Sequence, residues 1–519
     1  MNIKNYLIPL TLGLITTWAV QYFVINRYFG AQEGGEIKSG QTFVAPQSAM
    51  EAQPLNREID FIDEAGLQAQ DSDSSLQTLI ETDHASYLFS SKGACLEQLT
   101  FKRMMNGKLV ALQTIHTADT ATRENGCFLL ALDKKTPYLY TLIDQKKLAS
   151  ATQLTYQVET DEVTIKKLFT IHHNKFQIDV ALDVIPKKNP MQIRLFYNAP
   201  SMPEVKDDTI SAIYNSQKGS IQKEARKKLD LNKGWFAPTF FGSDNRYFVH
   251  AMVADQNKFA QRAYYSVVGS AELLSILESS WINKPTQWEL SFYFGPKEDA
   301  AMNVVDLRLE QTLDYSGLLA PFSRLLLMIL KYLYSFLHNY GWAIVVMTLL
   351  INLVLLPFNI KSAQSMKKYA EFQKKLSYVQ QRYKDDPDTL ARERTQLVSK
   401  HGMPGAGGCL TKLLQLPIFF ALSRVLSSSI ELYKAPFIFW IHDLSARDPY
   451  YVLPLLITLS MLFMSTTNDP KQRFTMIAVA LIFGAASVNF SAGLCLYIFI
   501  GVVLTGIQTS WPQKLSWGS

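Results

Sequence analysis

Cysteine and charge are both scarce in this chain. Four cysteines among 519 residues, with no Cys-x-x-Cys pair, exclude a disulfide-stabilised scaffold and provide no motif for zinc or thiol redox chemistry. Charged residues make up 18% of the chain and hydrophobic ones 48%, and the mean hydropathy of +0.01 is high for a soluble protein. The length allows two or three domains. The net charge of +6 is small for that length, so its placement matters more than its value.

Charge is missing altogether from several long stretches, of which Asn5–Asn26 is the first, with 22 residues. A helix that spans a bilayer needs about 20 apolar residues, so this stretch is long enough. A cleaved signal peptide is the alternative, but it needs a small-x-small cleavage site, which the following Arg27–Gly30 does not provide. We therefore predict a retained transmembrane anchor over residues 1–29.

Four further apolar runs follow toward the C-terminus: Tyr340–Ile360, Leu413–Ile430 with Arg424 inside it, Pro449–Asn468 and Phe474–Gln513. The last run has 40 residues, or about 60 Å of helix, twice the ~30 Å hydrocarbon thickness, so it must fold back near Ser491–Gly493. A buried globular core could explain one such run, but not five. The sequence therefore predicts six transmembrane helices, of which the last five form an all-α membrane core over 339–513.

The placement of lysine and arginine predicts the direction of these spans. The segment Lys361–Lys412 contains 11 Lys/Arg and 5 Asp/Glu, a net charge of +6. Short loops rich in Lys and Arg remain in the cytoplasm. The N- and C-termini are then expected in the cytoplasm, and residues 27–339 outside it.

Residues 27–339 begin with an acidic linker, followed by a β-rich domain. Positions 31–83 carry 11 acids and 2 bases with few apolar residues, which is typical of a flexible tether, here assigned to 30–85. Period-two alternation is clear in Phe176–Val184, Met191–Leu195 and Trp288–Phe294. We predict one all-β sandwich over 86–314, in which the charged segment 204–233 forms a long loop or a short helix.

The β-rich domain shows no convergent carboxylate or histidine cluster, so the chain is not expected to be an enzyme. At His172-His173 a turn is predicted, and a metal site is the alternative. Cys95 and Cys127 could pair in an oxidising compartment, and two free buried thiols are the other possibility. A transporter would show inverted repeats and paired charges within the membrane, and neither is visible.

The segment 315–338 joins the β-rich domain to the core. Arg324, Lys331 and His338 recur at seven-residue spacing and so share one stripe of an otherwise apolar helix. A helix with one basic stripe and a broad apolar face is typical of the membrane interface. We predict an interfacial amphipathic helix, with a seventh span as the alternative.

The loop Ala435–Pro454 closely resembles the loop between the third and fourth spans of the YidC/Oxa membrane-protein insertases. Other similar motifs are Gly407–Cys409 with Gln415–Phe419 in the third span, Asn339–Trp342 with Pro357 in the second, Gly493-Leu494 with Tyr497 in the last, and Asp314–Gly317 at the membrane junction of Gram-negative members. The similarity is dense over 300–510 and loose over the β-rich domain.

This resemblance implies a protein that inserts, folds and helps assemble integral inner-membrane proteins, alone or with the Sec translocon. In that family the five core spans enclose a hydrophilic groove that is open to the cytoplasm and to lipid. The extracytoplasmic domain of Gram-negative members is a periplasmic β-supersandwich. The resemblance implies no nucleotide, metal or other cofactor, and no specific nucleic acid as partner.

Polar residues inside the predicted spans could hydrate such a groove: Thr348, Asn352, Gln415, Ser423, Arg424, Asn489 and Gln508. The alternative is that they join helices by hydrogen bonds. Relatives typically carry an arginine at the position of Asn352. We hypothesise that Arg424 supplies this missing charge; the alternatives are that it reaches the outer headgroups or pairs with Glu431.

The cytoplasmic segment 361–409 is predicted to form a helical hairpin, with helices at about Ser365–Arg382 and Pro387–Lys400 and a turn at Asp385–Asp388. Its basic residues are Lys367, Lys368, Lys374, Lys375, Arg382, Lys384, Arg392 and Arg394. The resemblance implies contacts with nascent membrane proteins and targeting machinery, and the positive charge could also attract the ribosome or membrane lipids. The short tail 514–519 lacks the polybasic sequence with which some relatives bind ribosomes.

Overall fold

The computed structural model describes residues 76–105, 108–116, 126–131, 139–200, 210–215, 219–268, 272–313, 320–383, 386–401, 406–464 and 470–510. Two compact units emerge, one of which is 43–313 and the other 1–42 with 314–519. The predicted anchor, most of the acidic linker, the junction Asp314–Gly317 and the tail 514–519 lie outside the described residues.

The first unit is built of antiparallel strands: β1 Gln77–Glu81, β2 Ala85–Ser90, β3 Cys95–Met105, β4 Lys108–His116, β5 Leu129–Ala131, β6 Thr141–Lys147, β7 Ala151–Glu159, β8 Val163–His172, β9 Gln177–Pro186, β10 Arg194–Asn198, β11 Ser211–Asn215, β12 Ile221–Ala225, β13 Gly234–Phe236, β14 Phe241–Asp244, β15 Phe248–Asp255, β16 Arg262–Val268, β17 Glu272–Glu278 and β18 Thr286–Pro296. A short helix, α1 Asp299–Asn303, follows the last strand. The alternating stretches of the sequence fall in β9, β10 and β18, although β10 begins three residues later than its predicted start.

Three sheets result, with strand orders β1-β2-β3-β4, β13-β16-β17-β10-β5 and β12-β11-β14-β15-β18-β9-β8-β7-β6. The five- and nine-stranded sheets pack face to face. The Tyr197 hydroxyl of β10 donates to the Phe241 carbonyl of β14 (2.8 Å), and the Phe241 ring stacks on Tyr265 of β16 at 4.3 Å. The predicted β-sandwich is confirmed.

The prediction of a loop or short helix over 204–233 is wrong for 211–215 and 221–225, which are strands. Strands β11 and β12 pair antiparallel, and Arg226–Lys228 form a turn of 3-10 helix. Pairing of β11 with β14 overrides the weak local pattern, and Lys223 on β12 forms an ion pair with the buried Asp244 (2.9 Å).

A buried lysine joins three segments of the sandwich. Lys167 Nζ donates to the carbonyls of Gly93 (2.6 Å), Ala94 (3.2 Å) and Phe128 (2.8 Å), which matches the three N–H bonds of an ammonium group. Burial lowers the pKa of Lys167 to about 7. This contact holds two turns in which Gly93, Ala94 and Phe128 all have positive φ.

The cysteine and histidine predictions concern neighbouring parts of the same unit. Cys95 and Cys127 are both buried free thiols, so no bridge joins them. His172 ends β8 and contacts Asp179 Oδ2 at 2.7 Å, whereas His173 begins the following turn. Asp179 is seven residues after His172 and lies on β9, which pairs with β8. Sequence spacing alone did not indicate this contact. Among the described residues, no group of three or more His, Cys, Asp and Glu is arranged to hold a metal.

The second unit is helical in its described part: α2 Ala320–Leu337, α3 Tyr340–Arg382, α4 Pro387–His401, α5 Ala406–Ser428, α6 Val452–Met464, α7 Pro470–Ser487 and α8 Ala492–Ser510. The run 474–513 folds back as predicted, because α7 and α8 are separate helices joined at 488–491. The first hairpin helix does not start anew at Ser365, since α3 is continuous from the apolar run to Arg382.

The six-span count is not confirmed by the described residues. Two helical segments, Ala320–Leu337 and Tyr340–Ile360, have the length and apolar composition to cross a membrane. The apolar parts of α5, α6, α7 and α8 are shorter, at 10–17 residues. The first of the two segments is α2, for which the sequence favoured an interfacial position, so the spanning alternative for this helix stays open.

Candidate functional site

Helix α3 is the central element of the helical unit, with contacts to α2, α5 and α8. Its start is fixed by Asn339, whose Oδ1 accepts hydrogen bonds from the amides of Gly341 (2.9 Å) and Trp342 (3.2 Å). Gly341 lies so close to Phe437 that a Cβ there would be 1.9 Å from the Phe437 ring. The Asn-Tyr-Gly-Trp motif therefore packs the beginning of α3 against the loop 429–451.

The loop 429–451 lies at one end of the helices, which we call the loop end. The turn 488–491 also lies there, because the amides of Ala492 and Gly493 donate to Ala446 (2.7 Å) and Leu444 (2.9 Å). Helices α3, α6 and α8 therefore run away from the loop end, and α5 and α7 run toward it. The connection of α3 through α4 to α5 lies at the opposite end, which we call the hairpin end.

Helices α3 and α8 run parallel in a fixed register. At the loop end, a Cβ on Gly493 would lie 3.3 Å from Ile344 Cδ1. Toward the hairpin end, Asn359 Nδ2 donates to Gln508 Oε1 at 3.2 Å. The two contacts are fifteen residues apart on α3 and also fifteen residues apart on α8. The register therefore holds over this length, which is about 22 Å at 1.5 Å per residue.

A polar stripe follows this seam on α3. Thr348, Asn352 and Asn359 lie four and seven residues apart and therefore share the face that begins at Ile344. Thr348 is 0% exposed and donates to the Ile344 carbonyl (2.7 Å), while Asn352 is 4% exposed and donates to the Thr348 carbonyl (2.9 Å). The sequence predicted the first two and missed Asn359, although its spacing from Asn352 was a usable signal.

Burial decreases from the loop end to the hairpin end. In α8 every residue from Ala492 to Ile498 is buried, and none from Phe499 to Gln508 is. On α3 the described buried side chains end at Leu355, with the exception of Phe372. The described buried positions of α6 and α7 also lie toward the loop end: Leu453, Pro454 and Ile457, and Ala480, Gly484 and Ser487. The helices thus pack tightly at the loop end and less tightly toward the hairpin end.

The predicted residues of α5 lie elsewhere. Ala421, Leu422 and Val425 are buried, whereas Arg424 lies on the opposite, exposed face of the helix and Ser423 is half-buried. Gln415 is within α5, but its side chain lies outside the described residues. Gln508 is brought to α3, as described above. Asn489 is not inside a helix, because it lies in the turn 488–491, where its side chain is exposed.

Helix α2 is attached to α5 and the loop by polar contacts that the sequence did not predict. Ser323 Oγ donates to the Ala421 carbonyl (3.3 Å). Lys331 Nζ lies 2.6 Å from Glu431 Oε1, with side chains 35% and 6% exposed. Glu431 was considered as a partner of Arg424, and the structure pairs it with Lys331.

Two aspartates organise the loop 429–451. Asp443 Oδ1 accepts from the amides of Lys434 (3.1 Å) and Ser445 (2.8 Å). The buried Asp448 accepts from the Trp440 indole (3.0 Å) and from the amide of Leu453 (2.7 Å), which caps the start of α6. These contacts give the loop end a fixed shape.

The hairpin has an exposed basic surface. Among the predicted residues, the exposed ones are Lys374, Lys375, Arg382, Arg392 and Arg394. The side chains of Lys367 and Lys368 and the whole of Lys384 lie outside the described residues. Asp386 caps α4, because its carboxylate accepts from the Thr389 amide (3.2 Å) and hydroxyl (2.6 Å), and these bonds lower the Asp386 pKa.

Comparisons with known proteins agree with this architecture. Two family models match the chain, the YidC periplasmic domain over 77–329 and the 60Kd inner membrane protein over 332–516. The membrane protein insertase YidC of Geobacter metallireducens is 28% identical over 91% of this chain and 90% of that protein. That of Geotalea daltonii is 27% identical over 98% and 99%. A crystal structure of an active YidC insertase covers 85% of this chain and 94% of its own at 18% identity, with a TM-score of 0.39, too low to support an argument.

Proposed function

Because the chain belongs to the YidC family of membrane protein insertases, we propose that it inserts and folds integral membrane proteins in the inner membrane. Its β-sandwich is the periplasmic domain, and its helical unit is the part that handles substrate. Nascent membrane proteins are the substrates. The Sec translocon, and a ribosome or targeting factor at the basic hairpin, are proposed partners.

The burial gradient along the helices carries this proposal. A substrate that must move polar backbone through hydrocarbon loses several kcal/mol for each unsatisfied group. Helices that pack tightly at one end and separate at the other leave space for water over part of the membrane thickness. The polar segment then crosses a shorter apolar barrier, while an apolar segment can leave sideways into lipid.

We assign the groove floor to Thr348 and Asn352, where the tightly packed part of α3 ends. Gln508 and Asn359 are proposed to line the wider part. Asn352 can hydrate the groove, since an amide both donates and accepts hydrogen bonds, but it lacks the charge of the arginine that relatives carry there. Groove roles for Gln415 and Ser423, and Arg424 as the replacement charge, stay predictions.

For the topology, we propose six spans with the hairpin and both termini in the cytoplasm and the loop 429–451 at the periplasmic side. The parallel run of α3 and α8 supports part of this arrangement, because it brings the C-terminal end of α8 to the same side as the hairpin. The basic charge of the hairpin supports the cytoplasmic assignment.

Complementation tests the proposal. Cells are depleted of their own insertase and supplied with this chain, and insertion of a small Sec-independent membrane protein is followed by protease accessibility. We expect insertion to be restored, because the chain matches the 60Kd inner membrane protein model over 332–516. An empty vector is the control. Expression at the normal level without recovery of insertion would contradict the proposed function.

A further inference from the structure

Gly501 lies on the face of α8 that meets α3, yet a Cβ at this position would have no heavy atom within 4 Å. Gly501 is eight residues after Gly493, which approaches Ile344, and seven before Gln508, which is bonded to Asn359. These separations correspond to about two helical turns each, so all three residues share one face. In the register of the seam, Gly501 lies at the level of Asn352.

Gly501 is half-buried, and the open space beside it is on the less exposed side of α8. The exposed residues of this half of α8 are Val503 and Ile507, which lie on the opposite side of the helix at 100° per residue. One turn toward the loop end, Tyr497 is buried and closes the seam. One turn toward the hairpin end, the Thr505 hydroxyl donates to the Gly501 carbonyl (2.8 Å). The gap therefore has a closed end and a polar side.

Packing does not explain a glycine at this position. Glycine inside a helix costs roughly 0.5–1 kcal/mol relative to alanine. At Gly341, Gly484 and Gly493 a close neighbour offsets this cost, since a Cβ would lie 1.9, 1.9 and 3.1 Å from another residue. At Gly501 no neighbour requires the absence of a side chain.

We infer that Gly501 keeps the α3–α8 seam open at the level of Asn352, so that side chains of the entering segment fit there. This inference rests on the proposed function and adds a residue that limits the size of what the groove admits. A Cβ at 501 would displace no residue of the folded protein, and larger side chains would extend into the space that the substrate needs.

A size series tests this role in the full-length protein. Gly501→Ala, Gly501→Leu and Gly501→Phe are compared in the insertase-depleted cells, and the thermal unfolding midpoint (Tm) of each purified protein is measured in detergent. We expect insertion to fall with size, by about tenfold for Gly501→Phe, while Tm stays at or above the wild-type value. Val503→Phe is the matched control, because it adds a ring to the exposed face of the same helix, and it should insert normally.

Two results would overturn the inference. Normal insertion by Gly501→Phe, in cells that wild type rescues, would mean that the gap is not used. A loss of Tm that grows with size would mean that the space is already filled in the folded protein. Failure of the wild-type protein itself to rescue would instead contradict the proposed function, so the two failures are distinguishable.

Discussion

At the residue scale, Lys331 shows how contact with one buried residue changes the role that the sequence predicts for a side chain. In the sequence, Lys331 belongs with Arg324 and His338 to a basic stripe that predicts an interfacial helix. In the structure, it is 2.6 Å from the buried Glu431, and so it attaches α2 to the loop end. Burying a carboxylate is costly unless a cation accompanies it, which gives this pair a structural role.

We predict that Lys331→Met destabilises the protein and that adding Glu431→Met restores much of the loss. Breaking a fully buried pair costs roughly 3–5 kcal/mol because a charge is left without compensation, and the partial exposure of Lys331 reduces this value. Thermal unfolding of the purified full-length protein measures the effect. The single variant Glu431→Met completes the comparison. If the effects of the two single substitutions on Tm simply add in the double variant, the pair has no such role.

At the element scale, α3 is both a core helix and the first arm of the hairpin. Its 43 residues form a continuous helix of about 65 Å. Between Glu371 and Arg382 only Phe372 is buried among the described side chains. Few packing contacts therefore depend on the hairpin, whereas its charged surface is available to substrates or ribosomes.

Deleting Tyr369–Lys400 should reduce insertion and leave the helical unit folded, because so little of this segment is buried. Insertion in depleted cells and Tm of the purified protein are the two measurements. A second variant, in which Lys374, Lys375, Arg392 and Arg394 are all changed to Gln, separates charge from shape. If the deletion inserts substrates as well as wild type does, the hairpin is only a connector.

At the scale of the whole molecule, the alternating helix directions leave one question about the topology, namely which end of the helices faces the cytoplasm. The loop end and the hairpin end lie at opposite ends of the helices, and the C-terminal end of α8 is at the hairpin end. If the hairpin is cytoplasmic, the loop 429–451 must face the periplasm. The net charge of +6 over Lys361–Lys412 selects the cytoplasm.

Cysteine labelling in intact cells tests this topology. Ser377→Cys in the hairpin should resist a membrane-impermeant maleimide until the cells are lysed, whereas Asp183→Cys in β9 should react from the periplasm, provided the outer membrane is permeabilised. Both substitutions are made in a Cys409→Ser background, and this background protein is the control, since Cys95, Cys127 and Cys495 are all buried. Labelling of both positions from the same side would contradict the model of six spans.

The sequence by itself determined the family, the β-sandwich, the helical C-terminal region and the fold-back between α7 and α8. Composition, alternation and the length of apolar runs are local or repeated along the chain, and long motifs such as Ala435–Pro454 need no three-dimensional information. Element boundaries followed less well, because α3 continues past the end of its apolar run to Arg382 and because β11 and β12 depend on pairing with distant partners.

Only the tertiary structure decided which polar residues meet. Sequence spacing placed Thr348 and Asn352 on one face, but it could not show that α8 runs parallel to this face and brings Gln508 to Asn359. Nor could it assign Lys331 to Glu431, exactly one hundred residues away, or reveal open space beside Gly501. Such contacts join residues that are remote in the chain, and the packing of whole helices, which no local pattern encodes, sets the distances between them.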